Sequence, residues 1–320
     1  MTPSAISSKE VVPASIHPDA QERSSTVSEF HPNFLVVGAA KSGTTSLHEY
    51  LGQHPQIFMS ANKEPHYFVH GYGVEKWEDY LGLFAPASGK KAIGESSTLY
   101  LYCRESPPWI KSALGNIKII VLLRNPAKRA FSLYGWMVRE GYEDARTFAE
   151  ALRRESVRHA DPGFPKQALQ FFPDYLYFSS GLYSEQIRRY LTTFGADRVR
   201  VHLFEDFVRD PVAVCRDLFQ FLEVDVDFSP TFSVNNEGRI PGSVPLQFWL
   251  RTKLPYLRFL PGRFRENLPR RLMDWNVKLG HEPKAEKAVL EQLIERYRDD
   301  ILKLEQLLQR DLSHWLDPAR

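Results

Sequence analysis

Two apolar runs of strand length, Phe34-Leu35-Val36-Val37-Gly38 and Ile117 to Leu123, each stop at a turn and pass into residues with helical period. That pairing constrains the fold more than any other feature of the chain. The first run is followed by Gly38-Ala39-Ala40-Lys41-Ser42-Gly43-Thr44-Thr45-Ser46 and then by Leu47, Tyr50 and Leu51 at i, i+3, i+4 spacing, until His54-Pro55 halts the helix. The second is followed by Arg124-Asn125-Pro126 and an amphipathic stretch from Ala127 to Arg139, with proline suited to a first helical turn. Lys91 to Glu95 is a weaker strand candidate, and Arg198 to Phe204 alternates apolar and polar residues. Strands alternating with helices predict an α/β fold, three-layered about a central, mainly parallel sheet, with ligand loops at the carboxyl ends of the strands. Both turns lie at such ends.

The 320 residues, 43% of them apolar, suffice for one large core, read as a single domain over 32–320. Residues 1–31, rich in Ser, Pro and acids, read as a disordered leader without the apolar run of a secretory signal or anchor. The longest apolar runs are strand-sized, so no transmembrane segment is predicted and a cytoplasmic location is expected. Cys103 and Cys215, far apart and without metal-ligand neighbours, exclude a disulfide framework, argue against zinc and suit a reducing compartment. A net charge of +2 points away from nucleic acid. Near the C-terminus, Lys284 to Leu308 carries apolar residues at helical spacing and reads as a long helix capping the core. Val244 to Trp275 has no clean period. Its basic stretch over 251–271, with Arg251, Lys253, Arg258, Arg263, Arg265, Arg270 and Arg271, reads first as a solvated face and otherwise as a contact for an acidic glycan or a membrane surface.

A glycine-rich turn between strand and helix aims backbone N–H groups, at the positive end of the helix dipole, toward an anion. Lys41 adds a cation, and Ser42, Thr44, Thr45 and Ser46 add hydroxyls around Gly43. The order differs from the nucleoside-triphosphatase loop G-x-x-x-x-G-K-[ST], because Lys41 precedes the second glycine. Moreover, the strand ending at Leu123 is followed by Arg124 rather than by the aspartate of a magnesium site. A cation where a metal-binding carboxylate belongs indicates an anion site that works without metal. A sulfuryl group in transfer carries one charge fewer than a phosphoryl group, so fixed donors suffice for it.

The loop from Gly38 to Thr45, the segment Lys63-Glu64-Pro65-His66-Tyr67-Phe68 and the segment Val121 to Ser132 together resemble the sulfotransferases that use 3′-phosphoadenosine 5′-phosphosulfate (PAPS). The likeness is strongest to bacterial members and to the domains that modify heparan sulfate, and it covers roughly residues 33–315. It implies a metal-independent enzyme moving a sulfuryl group from PAPS to a hydroxyl or amine of a glycan, a lipid-linked or a small-molecule acceptor. By position, Lys41 resembles the lysine at the bridge between 5′-phosphate and sulfate, Ser42 to Ser46 the rest of that cradle, and Arg124 with Ser132 the grip on the 3′-phosphate. Arg239, in Asn235-Asn236-Glu237-Gly238-Arg239, fits more loosely as a third contact.

The same resemblance makes Glu64 the general base, with His66 in support, either orienting Glu64 or touching the acceptor. Glu95, at another strand end, is a further carboxylate within reach. Relatives carry Glu-Lys-Ser near it, and here the lysine is replaced by Ser96. A P-loop-type kinase and a non-catalytic nucleotide-binding scaffold are the alternatives. The first is distinguished by magnesium dependence, the second by loss of Lys41 and Glu64, both present here. The loops over 70–80, 140–177 and 244–272 are expected to form the acceptor pocket.

Overall fold

The computed structural model describes residues 30–233, 239–254, 262–281 and 284–318. All but the last two residues of the expected leader therefore lie outside the described residues, as do residues 255–261 of the basic stretch. Five strands, β1 (Phe34–Gly38), β2 (Ile57–Met59), β3 (Ala92–Ser96), β4 (Lys118–Leu123) and β5 (Val199–Leu203), form one sheet in the order β2-β3-β1-β4-β5. Every pairing is parallel. The helices are α1 (Thr44–Gly52), α2 (Trp77–Gly82), α3 (Leu99–Tyr102), α4 (Ser106–Leu114), α5 (Pro126–Arg139), α6 (Phe148–Ala160), α7 (Phe164–Gln167), α8 (Tyr183–Phe194), α9 (Phe204–Arg209), α10 (Pro211–Phe221), α11 (Val244–Thr252), α12 (Gly262–Lys278) and α13 (Lys287–Leu308).

β1, and β4 from Ile119 onward, are continuous apolar runs because both of their faces are covered. Successive side chains point to opposite faces, so Leu35, Val37, Ile119, Val121 and Leu123 enter one core while Phe34, Val36, Ile120 and Leu122 enter the other. Leu133 and Met137 of α5, Ile187 of α8 and Leu293 and Tyr297 of α13 close the first face. Leu47 and Leu51 of α1 and Leu218 and Phe219 of α10 close the second. The result is three layers.

From β1 the chain turns toward β2 and β3, then crosses back over β1 to enter β4 and continue outward to β5. The connections leaving β1 and β4 thus diverge. Sheets of this kind usually hold a ligand in the crevice at such a point of divergence, and the Gly38–Gly43 turn and Arg124, joined by a hydrogen bond from Arg124 Nη1 to Lys41 O, lie at it.

Three elements escape sequence reasoning. β2 has only three residues, too few to display a period. α11 and α12 form within the stretch lacking clean periodicity. Pro245 sits in the first turn of α11, which Ser243 caps by accepting from Leu246 N, and α12 carries Pro269 in its interior. Leu250 of α11 and Met273 of α12 make a small core with Leu254, just past α11, which blurs any single stripe.

Candidate active site

The turn after β1 has a backbone that few sequences permit. Gly43 has φ of 90° and Lys41 has φ of 66°, both in the left-handed region. A Cβ on Gly38 would stand 2.8 Å from Leu101 Cβ, so the strand end has room only for glycine. This path delivers the N-terminus of α1 into the crevice with no side-chain cap and no acid in its first turn. Its leading N–H groups and positive dipole end are left for an external anion. Ser42 is fully buried and its Oγ has no hydrogen-bond partner, the neighbouring Tyr183 hydroxyl donating instead to Arg124 O at 3.1 Å. An orphaned buried hydroxyl beside an uncapped helix end fits a phosphate or sulfate oxygen.

Arg124 leaves β4 across from this turn. Its Nη1 donates to Lys41 O at 3.2 Å and its guanidinium lies 4.7 Å from the Phe204 ring centroid, which fixes the plane of the fork. Asn125 then caps α5, its Oδ1 accepting from Ala127 N at 3.0 Å and Lys128 N at 3.2 Å. Ser132 and Trp136 are one turn apart on α5 and share a face. Lys41 Nζ sits 5.8 Å from the Trp136 ring centroid, so that face borders the crevice. Burial, followed by the guanidiniums of Arg139 and Arg124, lowers Lys41 to about 8, and burial likewise lowers Arg124. Several cations are crowded together and partly dehydrated, a state that an anion relieves.

Opposite stands Glu64. Its backbone has φ of 65° and its N–H donates to Ser96 O at 2.8 Å, anchoring it at the end of β3. Thr98 donates to Oε2 from Oγ1 at 2.8 Å and from its backbone N at 3.4 Å, and His66 Nε2 lies 3.3 Å from the same oxygen. Lys63 Nζ holds Oε1 at 2.6 Å. Burial by itself would raise this carboxyl, but the His66 contact and the Lys63 ammonium hold it well below the usual carboxylate range. Glu64 is therefore ionised and aimed.

His66 is only 2% exposed. Its backbone N–H donates to Ser97 Oγ at 3.0 Å, and its ring meets Phe171 edge-on. Nε2 stands against the Glu64 carboxylate, and the buried Nδ1 has no hydrogen-bond partner among the described residues. Glu95, expected within reach of the site, is sealed beneath it. Fully buried, it accepts from Ser97 Oγ at 2.9 Å and Tyr80 OH at 3.4 Å, and burial pushes it up to about 8. A strand end faces the crevice, but the in-out alternation of β3 turns this particular side chain into the core. Arg239 is exposed, the rest of its loop, 234–238, lies outside the described residues, and no contact joins it to the other candidates among the described residues.

Several neighbours went unnoticed in the sequence. Trp136 and Arg139 follow Ser132 on α5 at i+4 and i+7, so helical spacing alone places them on its face. Lys63 lies within the Lys63–Phe68 segment noted above, and Thr98 follows Glu95 by three residues. Asp174 had no signal. It lies in a short 3₁₀ turn, Phe172–Tyr175, within a stretch lacking period, and it is 7% exposed. Burial, then the charge of Glu64, raises it to about 7, while Arg129 and Lys41 pull the other way. Among the described residues no three His, Cys, Asp or Glu side chains gather at metal-binding distance.

The sulfotransferase domain model matches residues 31–237. Among solved structures, the crystal structure of a sulfotransferase from Alicyclobacillus acidocaldarius superposes with a TM-score of 0.66 at 32% identity, covering 90% of this chain and all of that one. The membrane-associated sulfotransferase kil1 of Dictyostelium discoideum is 38% identical over 109 residues, 33% of this chain and 23% of the relative. Heparan sulfate glucosamine 3-O-sulfotransferase 3B1 of Mus musculus is 26% identical over 216 residues, 64% of this chain and 51% of the relative. The chain thus spans about a quarter to about half the length of these two curated relatives. An uncapped helix end, a cation in place of a metal-binding carboxylate and a buttressed glutamate lie within a domain model matching well over half of the residues, and the chain belongs to the sulfotransferase domain family.

Proposed function

We propose that this protein transfers a sulfuryl group from PAPS to a hydroxyl or amine of an acceptor, with residues 32–320 acting as one catalytic domain. The observation that carries the proposal is the ionised Glu64 facing a crevice lined by Lys41, Arg124, the orphaned Ser42 hydroxyl and the uncapped N-terminus of α1. Lys41, Ser42, Gly43, Thr44, Thr45 and Ser46 form the 5′-phosphosulfate cradle. Arg124 and Ser132 take the 3′-phosphate, with Arg239 as an outer contact. The acceptor oxygen or nitrogen bonds to sulfur as the bond from sulfur to the 5′-phosphate oxygen breaks. Its proton passes to Glu64, and Lys41 stabilises the charge left on the departing phosphate. His66 positions Glu64.

Acceptor classes consistent with this chemistry are a glycan, as in the name of the mouse relative, a lipid-linked group or a small metabolite. Exposed Lys253, Arg270 and Arg271, beside exposed Trp249 and Trp275, suit contact with an anionic acceptor or surface. Charge reversal at Arg270 and Arg271 with unchanged acceptor affinity would remove that role. Two buried free thiols, Cys103 and Cys215, support a cytoplasmic placement, and no described helix is long and apolar enough to cross a membrane.

The deciding experiment is calorimetric titration with 3′-phosphoadenosine 5′-phosphate (PAP), beside ATP with magnesium, on the wild type and on Arg124→Ala. Metal-independent PAP binding that collapses in the variant supports sulfuryl transfer. Preference for ATP with magnesium makes the protein a kinase, and binding of neither leaves a scaffold.

A further inference from the structure

We propose that Lys63 relays its charge between base and donor: its ammonium pairs with Glu64 Oε1, and the sulfuryl group of PAPS competes for it and draws it away, leaving that oxygen open to the acceptor's proton. This rests on the sulfuryl-transfer reading above. The two oxygens of Glu64 are unequally held. Oε2 is surrounded by groups fixed in the fold: Thr98 Oγ1 at 2.8 Å, Thr98 N at 3.4 Å and the buried His66 Nε2 at 3.3 Å. Among the described residues Oε1 accepts only from Lys63 Nζ, at 2.6 Å. Thr98 and His66 cannot leave without disturbing β3 or the core beneath it. Lys63 is tied to nothing else among the described hydrogen bonds, its side chain is 24% exposed, and a lysine's ammonium rides on a flexible four-carbon stem. The proton of the acceptor therefore has one available destination, and Lys63 stands on it.

The charges around this corner provide the drive. Lys63 and Lys41 repel one another across the same carboxylate, and His48, Glu95 and Asp174 also feel the charge of Glu64. Among the described ion pairs Lys63 has Glu64 as its one partner. The sulfuryl oxygens of PAPS supply a second one on the Lys41 side. The hand-over couples the two substrates, because the base becomes available only once the group to be transferred is present. In the chemical step the S–O bond to the 5′-phosphate breaks with its electron pair on the phosphate oxygen, the new bond to sulfur forms, and the proton goes to Oε1. Lys63 then neutralises sulfuryl oxygens alongside Lys41.

PAP, which has the same nucleotide but no sulfuryl group, separates this role from general nucleotide binding. Calorimetry with PAPS and PAP, without acceptor, is run on the wild type, Lys63→Met and Glu64→Gln. Lys63→Met is expected to weaken PAPS about three- to tenfold, the range of a partly exposed charged contact, with PAP within twofold of wild type. Glu64→Gln releases Lys63 in advance and is expected to bind PAPS more tightly than wild type by a similar factor, again with PAP unchanged. Equal PAPS affinity in all three proteins, or equal losses of PAPS and PAP in Lys63→Met, overturns the relay and leaves Lys63 as a tether for Glu64. If Lys63→Met does not fold, the Glu64→Gln comparison decides alone. Absence of PAP and PAPS binding in the wild type is the separate failure, that of the sulfotransferase reading itself.

Discussion

Replacing Glu95 by glutamine tests whether the sealed carboxyl beneath the site is structural or chemical. Burial lifts Glu95 from its usual 4.5 to about 8, so between those values the unfolded chain surrenders this proton while the native protein keeps it. Native stability falls as pH rises through that window, because the unfolded state binds fewer protons there. At about 1.4 kcal/mol per pH unit the whole shift amounts to about 5 kcal/mol at pH 8 and above, an upper figure for a fully buried group. Glutamine has no proton to lose. It retains an acceptor for one of the hydroxyls of Ser97 and Tyr80 and turns an amide donor toward the other, a mismatch costing about 1 kcal/mol. Urea unfolding at pH 5 and at pH 8.5 should therefore show the variant equal to or slightly below wild type at the lower pH and several kcal/mol above it at the higher. PAP affinity should stay within twofold at both. Parallel stabilities at the two pH values would refute the buried-acid reasoning, and a loss of PAP binding without a change in stability would place Glu95 in the donor site.

Arg124→Ala removes a guanidinium whose hydrogen bonds to a phosphate contribute about 2–3 kcal/mol, so calorimetry should show PAP binding about 30- to 150-fold weaker. With Lys41 lowered to about 8, PAP affinity should hold steady below that pH and fall about tenfold per unit above it, as the free protein loses the proton the anion needs. Lys41→Met should abolish that dependence. Elsewhere, Arg158 makes a two-pronged, buried pair with Glu143, Nη1 to Oε2 and Nη2 to Oε1, each at 2.7 Å. Arg158→Leu should cost about 3–5 kcal/mol in urea unfolding by stranding the carboxylate, and a loss under 1 kcal/mol would show that Tyr177 and the Ala145 N–H satisfy it unaided.

Local sequence carried a large part of this protein. The apolar runs Phe34 to Val37 and Ile119 to Leu123 had to be buried on both faces, because nothing polar interrupts them, and that demand already implied helices above and below a parallel sheet. The order Gly38, Lys41, Gly43 followed by hydroxyl residues encoded an anion loop distinct from a triphosphatase loop, since backbone conformation and donor chemistry there depend on neighbours in the chain. The amphipathic period of α13 and the proline and asparagine opening α5 were equally local.

Tertiary structure decided whatever depended on which side chains meet. Glu64 and Glu95 both sit at or beside a strand end and look alike in sequence. Pairing of β1 with β3 sets Leu35 opposite Glu95 and turns that carboxyl inward, while the left-handed backbone at Glu64 turns the other toward the crevice. Asp174 arrives from a stretch without period, 110 residues along the chain from Glu64, so no local pattern could announce it. The unequal holding of the two Glu64 oxygens, by rigid Thr98 and His66 on one and by mobile Lys63 on the other, exists only once β3 and the loop after β2 are side by side. Composition and spacing specify what each segment can do alone, whereas charge, burial and proton affinity are properties of neighbours that only the folded chain assembles.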